Sequence, residues 1–148
     1  MIKTSQFTAG FLFLAAAVMT APAGAAELKV LSVDAMKPAM EELAKSFNAT
    51  SKEKLTVEFA TPADVEKKIN AEDEYDIVIA DKKATQSFYT AAKIAGGSSK
   101  ALAKKGDEEF EASMVNWCQQ PLAGNEVIKF LTTPKAAEVY KAKGMQPG

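Results

Sequence analysis

Three carboxylates stand where chemistry at a sheet edge would need them. Asp34, Asp64 and Asp81 each fall at, or one turn beyond, the carboxyl end of a segment that reads as a β-strand. In an open parallel sheet, ligands sit beyond those ends, where helix starts present free N–H groups and partial positive charge. The turns Asp34-Ala35-Met36, Thr61-Pro62-Ala63 and Ala80-Asp81 occupy such places, so the candidate ligand contacts are Asp34, Ala35, Met36, Thr61, Ala63 and Asp81. Converging carboxylates would make the crevice acidic, repelling oxyanions and suiting an amine or a hard cation such as Ca²⁺ or Mg²⁺. The plainer account is that each carboxylate stabilises its own helix start. Asp64 fits that account well, because Thr61-Pro62-Ala63-Asp64 has the pattern of a capping box. For Asp34 and Asp81 both accounts stay open.

The charge types exclude most other chemistry. All 18 cationic side chains are Lys, and the chain has no Arg and no His. Bidentate guanidinium recognition is therefore missing, as is imidazole both as a metal ligand and as a base near neutral pH. A net charge of −1 gives no basic field for nucleic acid. A hydrolase would lack an imidazole to activate its nucleophile. The Ser-x-x-Lys pattern at Ser51 to Lys54 lies in a charged loop, and Gly96-Gly97-Ser98-Ser99 lacks the ending of a phosphate-binding loop. Lys82-Lys83 and Lys104-Lys105 read as solvated surface. A non-enzymatic protein without cofactor or transition-metal site is expected. Cys118 is the single cysteine and follows the single tryptophan, Trp117. The pair either packs on the core or forms an exposed apolar contact through which the chain self-associates.

Residues 1–25 read as a secretory signal peptide, with a basic start at Met1 to Lys3, an apolar core from Phe11 to Met19 and a small-residue end at Ala23-Gly24-Ala25. That core is too short to span a bilayer. The mature chain, 26–148, is expected as a single periplasmic domain with no membrane insertion. Within it, Leu28–Val33, Leu55–Ala60 and Tyr75–Ala80 read as strands. Helices are expected from Met36, with Met40, Leu43 and Phe47 on one face, and from Pro62, with Val65 and Ile69 inward. A third carries Ala84, Phe88, Ala91 and Ala92 inward and stops at Gly96-Gly97. Strands alternating with crossover helices predict an α/β fold, a parallel-core sheet flanked by helices. From Gly96 to Pro121 the pattern is weak: Ser98 and Ser99 suit a cap for a short helix through Lys105, ended by Gly106. Two final helices hold Val127, Ile128 and Leu131, then Ala137 and Tyr140 after a Thr133-Pro134 start.

Four runs, Ser32–Phe47, Val57–Val65, Asp76–Ala80 and Phe130–Gly148, resemble in order the molybdate-binding-type periplasmic solute-binding proteins of ABC importers. The resemblance implies two α/β lobes closing on a ligand. Here the stretch available for the second lobe is so short that the chain is expected to be one lobe, half of a type 2 periplasmic binding protein, with the other reduced or missing. The resemblance also implies oxyanion-binding turns at the first two strand ends, with Ala35 standing where the family often has a ligand-contacting Ser. The expected function is binding of a small polar or charged ligand, with an ABC permease as the partner that the resemblance implies. The alternative is a structural or interaction protein derived from a shortened solute-binding fold.

Overall fold

Leu28, Val30, Leu31, Ser32 and Val33 are all buried, which only a strand covered on both faces allows. They belong to β1 (Glu27–Val33), the middle of a parallel trio in the computed structural model, which describes residues 26–148. The leader expected over residues 1–25 lies outside the described residues. β1 pairs in parallel with β2 (Lys54–Ala60) on one side and with β3 (Ile77–Asp81) on the other. A 3₁₀ turn at Asp34–Met36 runs into α1 (Lys37–Thr50), and α2 (Pro62–Asn70) returns the chain from β2 to β3. The two crossovers travel in opposite directions across the sheet, so right-handed connection places α1 and α2 on opposite faces.

The remainder of the sheet is antiparallel. After α3 (Lys82–Thr90), β4 (Lys100–Lys105) and β5 (Glu108–Met114) form a hairpin that adds to β3. The strand order is β2-β1-β3-β5-β4-β6, where β6 (Gln146–Pro147) closes the far edge against β4. The parallel core is therefore as expected, and the helix expected over 98–105 is corrected to a strand. Ser98 Oγ donates to the Ala95 carbonyl and accepts from Met114 N–H, while the Ser99 and Ser113 hydroxyls bond each other at 2.7 Å. These serines fasten the chain entering β4 to the end of β5 instead of capping a helix. The third helix also ends earlier than its alanines suggest. Ala92 adopts φ 55°, Lys93 N–H bonds back to the Phe88 carbonyl, and Ala91 and Ala92 are exposed. Stopping there lets Ile94 bridge Val115.

α4 (Pro121–Leu131) and α5 (Pro134–Ala142) share the α1 side. Phe47 of α1 meets Phe130 of α4 edge-on at 5.2 Å between ring centres. Tyr140 is buried and donates to the Leu131 carbonyl at 2.9 Å, so α5 is tied to α4. Ala136 takes the buried position expected of Ala137. Asn48 holds α1 to the sheet edge, accepting from Leu55 N–H at 2.7 Å and donating to the Leu55 carbonyl at 3.0 Å.

Gly106 and Asp107 form the two-residue turn between β4 and β5, and Gly106 has φ 62°. A left-handed first position suits Gly in such a hairpin, whereas Ala92 holds a left-handed conformation with a side chain. Opposite effects are expected: Gly106→Ala should lower stability by about 1 kcal/mol and Ala92→Gly should raise it by up to about 1 kcal/mol. Thermal unfolding of the two variants measures both.

Candidate functional site: the strand-end rim

Register decides whether the candidate turns meet. Val33 of β1 is level with Ala60 of β2, and Ser32 is level with Ile79 of β3. The next residues along, Asp34, Thr61 and Asp81, therefore emerge at one end of the sheet on three adjacent strands. Neighbouring strands lie about 4.8 Å apart, so the three helix starts share a single rim in the order Thr61, Asp34, Asp81. β5 runs against β3, with Asp81 opposite Phe110. The Gly106-Asp107 turn consequently stands at the same rim beside Asp81.

Each start is built differently. Thr61 caps α2, its Oγ1 accepting from Asp64 N–H at 3.2 Å and donating to the Asp64 carboxylate at 2.9 Å. The second of those bonds differs from a full capping box, in which the carboxylate would reach the cap residue's own N–H. Pro62 has no N–H to offer, so Ala63 supplies the outward-pointing donor of this turn. Asp81 caps α3, with one carboxylate oxygen accepting from both Lys83 and Ala84 N–H at 3.0 Å. The 3₁₀ turn at Asp34 has no side-chain cap, Asp34 is exposed, and Ala35 is half-buried. Met36 is fully buried in the core, so only its backbone can face a ligand.

A cleft of about 730 Å³ opens at the Asp81 end of the rim. Asp81, Lys82 and Lys83 form one wall, and Asp107, Glu108 and Glu109 of the hairpin form the other. Glu109 pairs with Lys82 at 3.6 Å and with Lys104 at 3.4 Å. Glu111, one inward position further along β5, is pushed up by burial, against the pull of Lys82 and with a further push from Glu109. Asp34, Ala35, Thr61 and Ala63 lie further along the rim and are not among the residues lining this cleft. Reading Lys82-Lys83 as solvated surface missed their place in this wall, and the acids at 107–109 were not singled out at all. The signal lay in Gly106-Asp107, which as a hairpin turn would have brought the acids to the rim.

Among the described residues no group of three or more Asp, Glu or Cys side chains is placed to hold a metal ion. The Trp117–Cys118 patch is tied to its own lobe. The Trp117 indole N–H donates to the Asp73 carbonyl at 2.9 Å, and Cys118 Sγ lies 3.5 Å from the Asp76 carboxylate, which also accepts from Lys29 N–H. Burial, foremost, raises the Cys118 thiol above its ordinary value. Both side chains are half-buried and pack against the core of the lobe.

A second cleft, of about 290 Å³, lies toward the amino ends of β1 and β2 and is lined by Lys29, Thr56, Glu58 and Tyr75, among others. Lys68 bonds Glu58 at 2.7 Å and the Tyr75 hydroxyl at 3.2 Å, and that hydroxyl donates to Glu58 at 2.8 Å. The bonds from Lys68 and then Tyr75 hold the Glu58 carboxyl below its ordinary range.

The fold is a single α/β lobe with a six-stranded sheet flanked by helices. The chain belongs to the bacterial extracellular solute-binding proteins, whose family model matches residues 28–106, more than half of its length. No curated relative matches it in sequence. Among solved structures it is similar to a chain assigned as the substrate-binding domain of a molybdenum ABC transporter from Clostridium difficile, at 10% identity and TM-score 0.75, over 84% of this chain and 100% of that one. It is also similar to the periplasmic molybdate-binding protein of Azotobacter vinelandii, at 10% identity and TM-score 0.76, over 82% and 99%. Peb3 from Campylobacter jejuni follows at 8% identity and TM-score 0.62, over 82% and 100%. At these identities the likeness is one of fold.

Two outcomes test the electrostatics. Asp81→Ala should lose the α3 cap and about 1 kcal/mol of stability, whereas Asp81→Asn, which keeps an acceptor, should stay within a few tenths of wild type. Chemical denaturation of the pair separates the cap from the charge. Glu58 has a lowered folded value, so its contribution is present above the ordinary carboxylate range and is lost as pH falls through that lowered value. The stability gap between wild type and Glu58→Gln, followed by melting from pH 7 downward, should therefore narrow in acid.

Proposed function

We propose that this chain is a periplasmic receptor for a small polar solute, held at the rim formed by Asp34, Ala35, Thr61, Ala63 and Asp81 and by the backbone of Met36. One observation carries the reading: the register that brings three helix starts side by side beyond the ends of three parallel strands. Family membership supports export and solute binding, and it supports an ABC permease as the partner that receives the solute.

The charge at the rim favours a solute bearing an amine. Asp81 already accepts from two N–H groups of α3, and Thr61 accepts from one of α2. An oxyanion at either start would compete with these caps and meet the charges of Asp34, Asp64 and Asp81. An ammonium group gains from the same carboxylates. A metal cation is less well served, since the rim acids are not grouped as a ligand set. The rim is open on one side, so water competes throughout and affinity should be modest.

Against the interaction-protein alternative, Trp117 and Cys118 pack partly on the lobe's own core, which leaves the shortened fold as the feature that favours it. Thermal shift tests the reading with molybdate, sulfate, Ca²⁺, Mg²⁺ and primary-amine solutes at millimolar concentration. An amine solute at one hundred times its Kd should stabilise by about 2.7 kcal/mol, and Asp34→Asn should reduce that shift. A rise with molybdate or sulfate alone reverses the sign assigned to the rim. No rise with any solute removes the rim as a binding site.

A further inference from the structure

We infer that signal-peptide cleavage creates a charged amino terminus at Ala26 for which the fold holds a ready partner, Glu53. The sequence places the cleavage after Ala23-Gly24-Ala25, which makes Ala26 the first residue of the mature chain. In the structure, the Ala26 nitrogen donates to the Glu53 carboxylate, and Ala26 is half-buried, as is Glu53. The pairing is built from both sides. Lys54 N–H donates to the Ala26 carbonyl at 2.9 Å, and Glu27 of β1 stands level with Lys54 of β2. Glu53 N–H donates to Ser51 Oγ at 3.1 Å, which fixes the turn carrying the carboxylate.

Before cleavage the Ala26 nitrogen is an amide with a single proton and no charge. Hydrolysis of the Ala25–Ala26 bond turns it into an α-ammonium group, protonated near neutral pH. A neutral donor on Glu53 becomes a charge-assisted one, of the kind that is shorter and roughly twice as strong. The bond lies where β1 meets β2, the first pairing of the parallel trio. Processing therefore tightens the sheet at the end opposite the ligand rim, and does so only in the exported, trimmed protein. This inference is independent of which solute the rim binds.

The first measurement is the mass of the full chain after export to a bacterial periplasm, which should correspond to a start at Ala26. Another first residue overturns the proposal. The second compares residues 26–148 bearing a free α-amine with the same chain extended by Gly-Ser, each with Glu53 and with Glu53→Gln. Extension alone should lower Tm by about 3–6 °C, the shift that corresponds to about 1 kcal/mol in a domain of this size. Glu53→Gln alone should do the same, and the two together should add little to either. Equal Tm values with and without the extension, or fully additive losses, overturn the pairing. Failure of any solute to bind in the preceding test leaves these melting differences unchanged.

Discussion

Parallel hydrogen bonding of β1 to both of its neighbours is the constraint on which the rest of the structure depends. A parallel pair cannot be joined by a tight turn, so each connection must cross a face of the sheet. The crossings here are helices, and each strand of the parallel trio therefore ends at the same edge, where the next helix begins. Because β1 is level with β2 and with β3 over its last residues, the three starts fall into one row. Nothing about Thr61, Asp34 or Asp81 individually would assemble a site. The shared register sets them in one row, and the run from Leu28 to Val33, buried except at Lys29, anchors that row in the core.

The caps add a second layer of control. A helix start with no side-chain cap is open to any acceptor that approaches, whereas one capped from within is partly committed. α2 and α3 are committed by Thr61 and Asp81, while the turn at Asp34 is not. The rim is thus uneven along its length, open at its centre and closed at either side.

Much of this was legible in the sequence, and the parts that were not share one cause. β1, β2 and β3 announced themselves through apolar runs, and Thr61-Pro62 and Thr133-Pro134 marked helix starts through local chemistry that needs no distant partner. The segment Lys100–Lys105 did not. Its Ala and Lys residues favour a helix in isolation, and only pairing with β5 makes it a strand. Ala91 and Ala92 misled in the same way, because the helix gives way to the bridge between Ile94 and Val115. At the rim, the strand-end residues were recognisable from the alternation of strands and helices. Lys82, Glu108 and Glu109 were hidden, because their place depends on a hairpin whose strands carry few β-prone residues. The final helices were legible as helices, but Ala136 and Ala137 are too alike for periodicity to choose the inward one.

The two-residue turn at Gly106-Asp107 bears on how the chain reaches this shape. Antiparallel pairing across so tight a link involves contacts close in sequence, and such contacts form quickly because little freedom is lost in closing the link. Strands β4 and β5 can therefore zip early and offer a finished edge to β3. A long insertion at this point would have postponed that step until the insert itself had folded. The compact hairpin makes assembly of the lobe an affair of neighbours, save for the parallel trio and the last short strand.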